Sequence, residues 1–151
     1  MTLTDVDPHP IGSDRRFNVQ LFIVHPSMVP AEITNALGLE PLIIHHVGEP
    51  RRTPKGTALP GNYPDTRWRH SIHRKTSDQW FAAEVEGLVN HLEPRKAFLN
   101  HLYATGGSAA LIVQFLGDDG YFGDSLPPSL LTKFGDLGLS LDIEVYAVPQ
   151  S

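Results

Sequence analysis

The chain has 151 residues, of which 40% are hydrophobic and 19% charged, and it carries a net charge of −5 and no cysteine. This composition is typical of one globular domain and excludes a disordered chain. Without cysteine there can be no disulfide, thiol nucleophile or cysteine-ligated metal. No apolar run approaches the ~18 residues of a membrane span. The first residues lack the pattern of a secretory signal, so we expect a cytoplasmic protein without membrane contact.

Basic charge is concentrated in the segment from Arg51 to Lys75. This segment holds seven basic residues and one acidic residue, Asp65, which gives it a charge of +6. The remainder, with five basic and sixteen acidic residues, has a charge of −11. Such asymmetry indicates a surface that attracts anions, whereas the acidic remainder argues against general nucleic-acid binding.

The N-terminal part of the chain is predicted to contain a tail, a strand, a helix and a second strand. Residues 1–14 contain two prolines and a glycine and are predicted to be a flexible tail, and residues 15–151 a single globular domain. From Phe17 apolar and polar residues alternate, which predicts a strand with one face in the core; apolar residues at the end of its second face indicate cover there too. A helix is predicted to begin at Pro30 and to end at Gly38, and a second strand follows at 42–47.

The middle of the chain contains an irregular stretch. Gly48–Pro64 holds four prolines and three glycines, which predicts a long loop. Thr66–Lys75 is predicted to be a strand with Arg67 and Arg69 on one face. A helix should start at Thr76–Gln79 and be divided by Pro94.

The C-terminal part repeats the opening pattern of strand, helix and strand. The predicted segments are Ala109–Leu116, Pro127–Gly138 and Leu139–Ala147. In the last strand, alternation predicts that Leu141, Ile143 and Val145 are buried and that Asp142 and Glu144 are exposed. Replacing Leu141 or Ile143 with alanine is then expected to lower the free energy of unfolding by ~2–5 kcal/mol.

The order of elements is therefore β-α-β-β-α-β-α-β. It favours an α+β fold in two layers, with a mainly antiparallel sheet that carries its helices on one face. Because the pattern of the first half returns in the last, a ferredoxin-like pseudo-repeat of split β-α-β units is predicted.

A family resemblance rests on the opening strand, the glycine-bearing loop at 48–64 and four further parts of this pattern. These are VPAEITNALGLEP at 29–41, the strand with Trp68, the helix end at His91–Pro94, and LGLSLDIEVYA at 137–147. Together they resemble a bacterial family known as domain of unknown function 4279, over roughly Phe17 to Val148. The resemblance implies a small bacterial α+β protein and carries over no catalytic residues and no cofactor.

Eight histidines raise the possibility of a metal site. His25 and His46 end the first two predicted strands, and His70 lies within the third. If these strands are neighbours, three imidazoles could converge, as zinc or iron requires. There is no HExxH motif, and histidines on strands are more often hydrogen-bonded polar residues at a sheet edge.

The basic segment gives a second candidate site. Arg67 and Arg69 on one strand face, with Arg51, Arg52 and Lys55 in the preceding loop, could bind phosphate or carboxylate groups. The alternative is that these charges pair with the chain's own acidic residues.

Familiar catalytic motifs are missing from the sequence. Gly56–Gly61 lacks the Lys-Ser/Thr of a phosphate-binding loop, and there is no nucleophile elbow and no dinucleotide fingerprint. We therefore expect a non-catalytic binding or protein-interaction domain, of an immunity or regulatory kind, whose partner is a protein or an anionic small molecule. No cofactor is predicted, and a homodimer is left open. The alternative is a histidine-dependent metal enzyme acting at the sheet edge.

Overall fold

The computed structural model describes residues 16–75, 81–117 and 124–147. The predicted tail and the predicted helix start at Thr76–Gln79 lie outside these residues. The described ranges contain seven strands and four α-helices: β1 Arg16–His25, α1 Pro30–Leu37, β2 Ile43–His45, β3 Pro50–Arg52, β4 Ala58–Asn62, β5 Thr66–Lys75, α2 Phe81–Leu92, α3 Lys96–Ala104, β6 Ser108–Gly117, α4 Pro128–Asp136 and β7 Ser140–Ala147.

The main sheet has five strands in the order β2-β5-β1-β6-β7. Three of its pairings are antiparallel, and the pairing of β6 with β7 is parallel, so the sheet is mixed. The α+β class is thus confirmed. The two halves are not equivalent, however, because β5 lies between β1 and β2, whereas β6 and β7 lie side by side.

The core lies between this sheet and the helices. The alternation predicted for β1 is confirmed, since Phe17, Val19, Leu21 and Ile23 are all fully buried. They pack in one cluster with the apolar faces of all four helices. No helix in the described ranges is long and apolar enough to cross a bilayer.

The predicted helix boundaries follow from proline and glycine. Pro30 occupies the first turn of α1, where no N–H is needed. Gly38 ends α1 with a φ of 64° and donates its N–H to the carbonyl of Thr34 at 2.9 Å. Pro94 lies in a 3₁₀ turn, Glu93–Arg95, that separates α2 from α3. Each prediction is confirmed because it rests on a local backbone preference.

The prediction for β7 is wrong in part. Leu139 is buried and Leu141 packs against the core, but Ile143 and Val145 are 62% and 73% exposed. Ile143 pairs with the buried Val113 of β6, so the predicted face is right. Since β7 is an edge strand and the described helices do not cover its end, the expected loss of ~2–5 kcal/mol does not apply to Ile143. Of the acids, Asp142 is exposed as predicted, and Glu144 is half-buried.

The prediction that Gly48–Pro64 is a long loop is also wrong, because this segment contains the two-stranded sheet β3-β4. Proline, glycine and arginine in these short strands give no alternating pattern, so the sequence offered no strand signal there. All residues of β3 and β4 are exposed. The hairpin therefore projects from the domain and is free to form one wall of a site.

Candidate binding groove

The hairpin is an extension of the ladder between β2 and β5. That ladder ends where His45 pairs with Arg67. Beyond it, the N–H of Gly48 donates to the carbonyl of Tyr63 and the N–H of Tyr63 donates to the carbonyl of Glu49, both at 2.9 Å. These bonds join the sheet to the hairpin, so the two form one ribbon.

A groove of about 990 Å³ lies between the hairpin and the sheet. Its sheet side is formed by Phe22 of β1, by β2 with the preceding Leu42, and by Arg67 and Arg69 of β5. The hairpin side includes Glu49, Arg52, Leu59 and Tyr63. The lining thus combines guanidinium groups with apolar and aromatic surface, which suits a ligand that has an anionic group and an apolar body.

Tyr63 fixes the hairpin wall. Its ring stacks on the imidazole of His45 with centroids 4.2 Å apart and planes 8° from parallel. Its hydroxyl accepts a hydrogen bond from the N–H of Arg52 at 3.1 Å and donates one to the carbonyl of Arg52 at 3.2 Å. These two hydrogen bonds hold the backbone of Arg52 beside the groove. Neither Tyr63 nor His45 is among the site residues predicted from the sequence.

Arg69 lies across the sheet face that is opposite the helices. Its guanidinium carbon is 4.6 Å from the ring centroid of Phe22, and its Nη1 donates to Oε1 of Gln20 at 3.2 Å. Gln20 is buried and itself donates to the hydroxyl of Ser71 at 3.3 Å. Among the described residues Arg69 forms no ion pair with a carboxylate, although its charge helps to lower the pKa of Glu144. Its guanidinium is therefore oriented by Phe22 and Gln20.

The other predicted basic residues differ in position. Arg67 also lines the groove, but its Nε is 3.0 Å from Oδ1 of Asp65. Arg52 lines it too, with Nη1 3.4 Å from the carbonyl of Gly56. Arg51 and Lys55 do not line it. The structure therefore brings three of the five predicted anion-binding residues to one site.

A row of hydrogen-bonded polar side chains continues across the same face of the sheet. Gln114 accepts from Asn18 at 3.1 Å and donates to Glu144 at 2.9 Å, and the hydroxyl of Tyr146 donates to Glu144 at 2.8 Å. The hydrogen bonds from Gln114 and Tyr146 lower the pKa of Glu144, and the bond to the carboxylate raises the pKa of Tyr146. Because this row of hydrogen bonds links β1, β6 and β7, no local sequence pattern could have predicted it.

The three histidines of the metal hypothesis have separate surroundings. His25 bonds to the end of α3, His46 lies 3.1 Å from the carboxylate of Glu49, and His70 bonds to the carbonyl of Glu40 at 2.7 Å. The described part of the chain contains no group of three side chains that could hold a metal ion. Its geometry therefore gives the metal hypothesis no support.

His25 is buried in a neutral form. Its Nδ1 accepts from the N–H groups of Ser27 at 3.0 Å and Met28 at 2.8 Å, so the proton is on Nε2, which donates to the hydroxyl of Thr105 at 2.8 Å. Burial lowers the pKa of His25; Glu32 raises it and His101 lowers it by smaller amounts. A second proton would break both bonds to Nδ1.

This burial predicts a pH dependence of stability. Because the pKa of His25 is lower in the folded state, the unfolded chain binds more protons below pH ~6.5, and the free energy of unfolding should fall as the pH drops through that value. Denaturant unfolding at a series of pH values should show this decline, with a slope of at most about 1.4 kcal/mol per pH unit. The variant His25→Asn keeps an acceptor near the Nδ1 position but has no imidazole to protonate. The part of the pH dependence that comes from His25 should therefore be absent in this variant. An equal slope in both proteins would contradict the assignment.

The fold and the groove define a small α+β protein with a cationic and apolar groove at one sheet edge. A family model, Domain of unknown function (DUF4279), matches residues 15–148, and the chain belongs to this family. The resemblance seen in the sequence is thereby confirmed. No significant match was found among curated proteins or among solved structures.

Proposed function

We propose that the protein is a non-catalytic binding domain whose groove takes an anionic partner. The observation that supports it is Arg69, whose guanidinium is held over Phe22 and by Gln20 and forms no ion pair with a carboxylate of the described ranges. An arginine that is already oriented loses little side-chain freedom when it binds an anion. Arg52 and Arg67 line the same groove and add positive charge.

The ion pair of Arg67 with Asp65 is compatible with this function. Arg67 is 51% exposed, and an exposed ion pair contributes about 0–1 kcal/mol. A guanidinium has five donors, of which Asp65 takes one. Arg67 therefore keeps donors for a ligand.

The size and lining of the groove favour more than a bare ion. Small-molecule sites measure roughly 300–1,000 Å³ and are mainly apolar with a few placed polar groups. At about 990 Å³, this groove has room for an anion that carries an apolar part beside Leu42, Ile43 and Leu59. Phosphate alone should accordingly bind weakly.

The test is a calorimetric titration with benzene-1,3,5-tricarboxylate and with inorganic phosphate at low and high salt. The tricarboxylate should bind more tightly than phosphate, and high salt should weaken its binding. Arg52→Gln and Arg69→Gln should each weaken it about tenfold or more, because a hydrogen bond between charged groups contributes ~1.5–3 kcal/mol.

Two matched controls remove the same charge elsewhere. Arg51→Gln changes the neighbour of Arg52 on β3, outside the groove lining. Arg74→Gln changes the other side of β5, where Arg74 pairs with Glu84 at 3.0 Å. Both should bind like the parent protein. Binding that is insensitive to salt, or equal losses in the control and groove variants, would contradict the proposal.

The finer fold relationship is also an inference. The order β2-β5-β1-β6, with α1 after β1 and with α2 and α3 after β5, supports a ferredoxin-like core to which α4 and β7 are added. The cytoplasmic location, the bacterial origin and a homodimer remain predictions from the sequence.

A further inference from the structure

The whole of β2, the terminal strand of the sheet, contributes to the lining of the groove. Leu42, Ile43, Ile44 and His45 all line it. In the described sheet, β2 is the terminal strand and pairs only with β5. The backbone groups on its other side therefore have no strand partner among the described residues.

This edge exposes apolar side chains. Leu42, Ile43 and Ile44 are 66%, 44% and 47% exposed. Exposed edge strands tend to pair with another chain, and soluble proteins usually protect them with charge or cover. On β2 itself the three residues are Ile43, Ile44 and His45, none of which supplies such protection as a lysine would.

We propose that the partner in the groove is an extended acidic peptide segment of another protein, which adds a strand to β2. The inference rests on the proposed function and names the class of its ligand. Main-chain hydrogen bonds to β2 would provide affinity, as in other proteins that bind a peptide as an added strand. Positive charge on Arg52, Arg67 and Arg69 supplies the preference for acidic side chains.

The register of β2 specifies how the side chains of the peptide alternate. Ile43 pairs with Arg69 and Ile44 with Trp68, so Ile43 shares the face of the arginine. An added strand would lie about 5 Å from β2 and about 10 Å from β5. A glutamate on that face and Arg67, which pairs with His45 of β2, can together span this distance. The guanidinium of Arg69 lies farther away, over Phe22 of β1. Side chains on the other face would meet Leu42 and Ile44, which favours alternating acidic and apolar residues.

The probe is the peptide acetyl-Glu-Val-Glu-Val-Glu-amide, compared with N-acetylglutamate amide by fluorescence anisotropy competition. The peptide should bind at least about tenfold more tightly than the single residue, and Arg52→Gln and Arg67→Gln should weaken it, whereas Arg51→Gln should not. Alternate N–H groups of a strand point to the same side. Peptides N-methylated on the glutamates or on the valines therefore test strand addition.

One of the two N-methylated peptides should lose binding about tenfold or more, and the other should bind like the parent peptide. Equal affinity of the two, or a parent peptide no tighter than the single residue, would overturn strand addition. Arginine-dependent binding of benzene-1,3,5-tricarboxylate would in that case leave the proposed function standing. Loss of that arginine dependence would instead overturn the proposed function.

Discussion

Replacing Trp68 with alanine is expected to lower the free energy of unfolding by about 3–5 kcal/mol, as for other fully buried aromatic residues. Trp68 is 0% exposed and belongs to the core cluster between the sheet and the helices. Its Nε1 donates to the hydroxyl of Thr34 at 3.0 Å, which connects β5 to α1. The substitution removes this bond and leaves a large cavity, and denaturant unfolding measures the loss.

The variant Trp68→Phe separates packing from hydrogen bonding. Phenylalanine keeps most of the apolar contact but has no donor for Thr34, whose own hydroxyl still donates to the carbonyl of Pro30 at 3.3 Å. We expect a smaller loss of about 1–2 kcal/mol. If Trp68→Ala reduced the free energy of unfolding by less than Trp68→Phe does, the position of Trp68 in the core would be wrong.

The sequence predicted those elements of the fold that depend on local preferences. Pro30 and Gly38 delimit α1, and the alternation that begins at Phe17 gave the buried face of β1. Phe22 on the other face was an indication that this face is covered as well. In the structure Phe22 lies under the guanidinium of Arg69, and the sequence did not indicate which residue would cover it.

The groove could not be predicted because its walls meet only in three dimensions. Tyr63 and His45 are 18 positions apart and stack because the β2–β5 ladder continues into the hairpin. Gln20, which orients Arg69, lies 49 positions from it. Register between strands fixes such pairs, and a single sequence contains no direct signal of register.

The two explanations of the basic segment each hold for different residues. Arg67 and Arg74 pair with Asp65 and Glu84, as internal compensation of charge predicts. Arg69 pairs with no described carboxylate. Charge counting could not separate these cases, because Arg69 and Arg74 lie on opposite faces of one strand and meet different neighbours.

The last expected result concerns Gly107, at the junction of α3 and β6. Its N–H donates to the carbonyl of Leu102 at 2.8 Å. A Cβ at this position would lie 2.8 Å from Cδ2 of His25, 2.8 Å from Cγ of Leu102 and 2.9 Å from the carbonyl oxygen of Leu102. His25 cannot move away without losing its bonds to Ser27, Met28 and Thr105. Gly107→Ala should therefore reduce the free energy of unfolding by about 3 kcal/mol, the upper part of the range for overpacking.

Gly87→Ala is the matched control, and it should change the free energy of unfolding in the opposite direction. Gly87 is exposed inside α2, and a Cβ there would have no heavy atom within 4 Å other than those of its own helix backbone and chain neighbours. Alanine in a helix interior is more favourable than glycine by about 0.5–1 kcal/mol, so this variant should be more stable than the parent protein. Thermal and denaturant unfolding of the two variants compare the same chemical change in a crowded and an open position. If Gly107→Ala were as stable as the parent protein, the close packing of His25 against the start of β6 would be refuted.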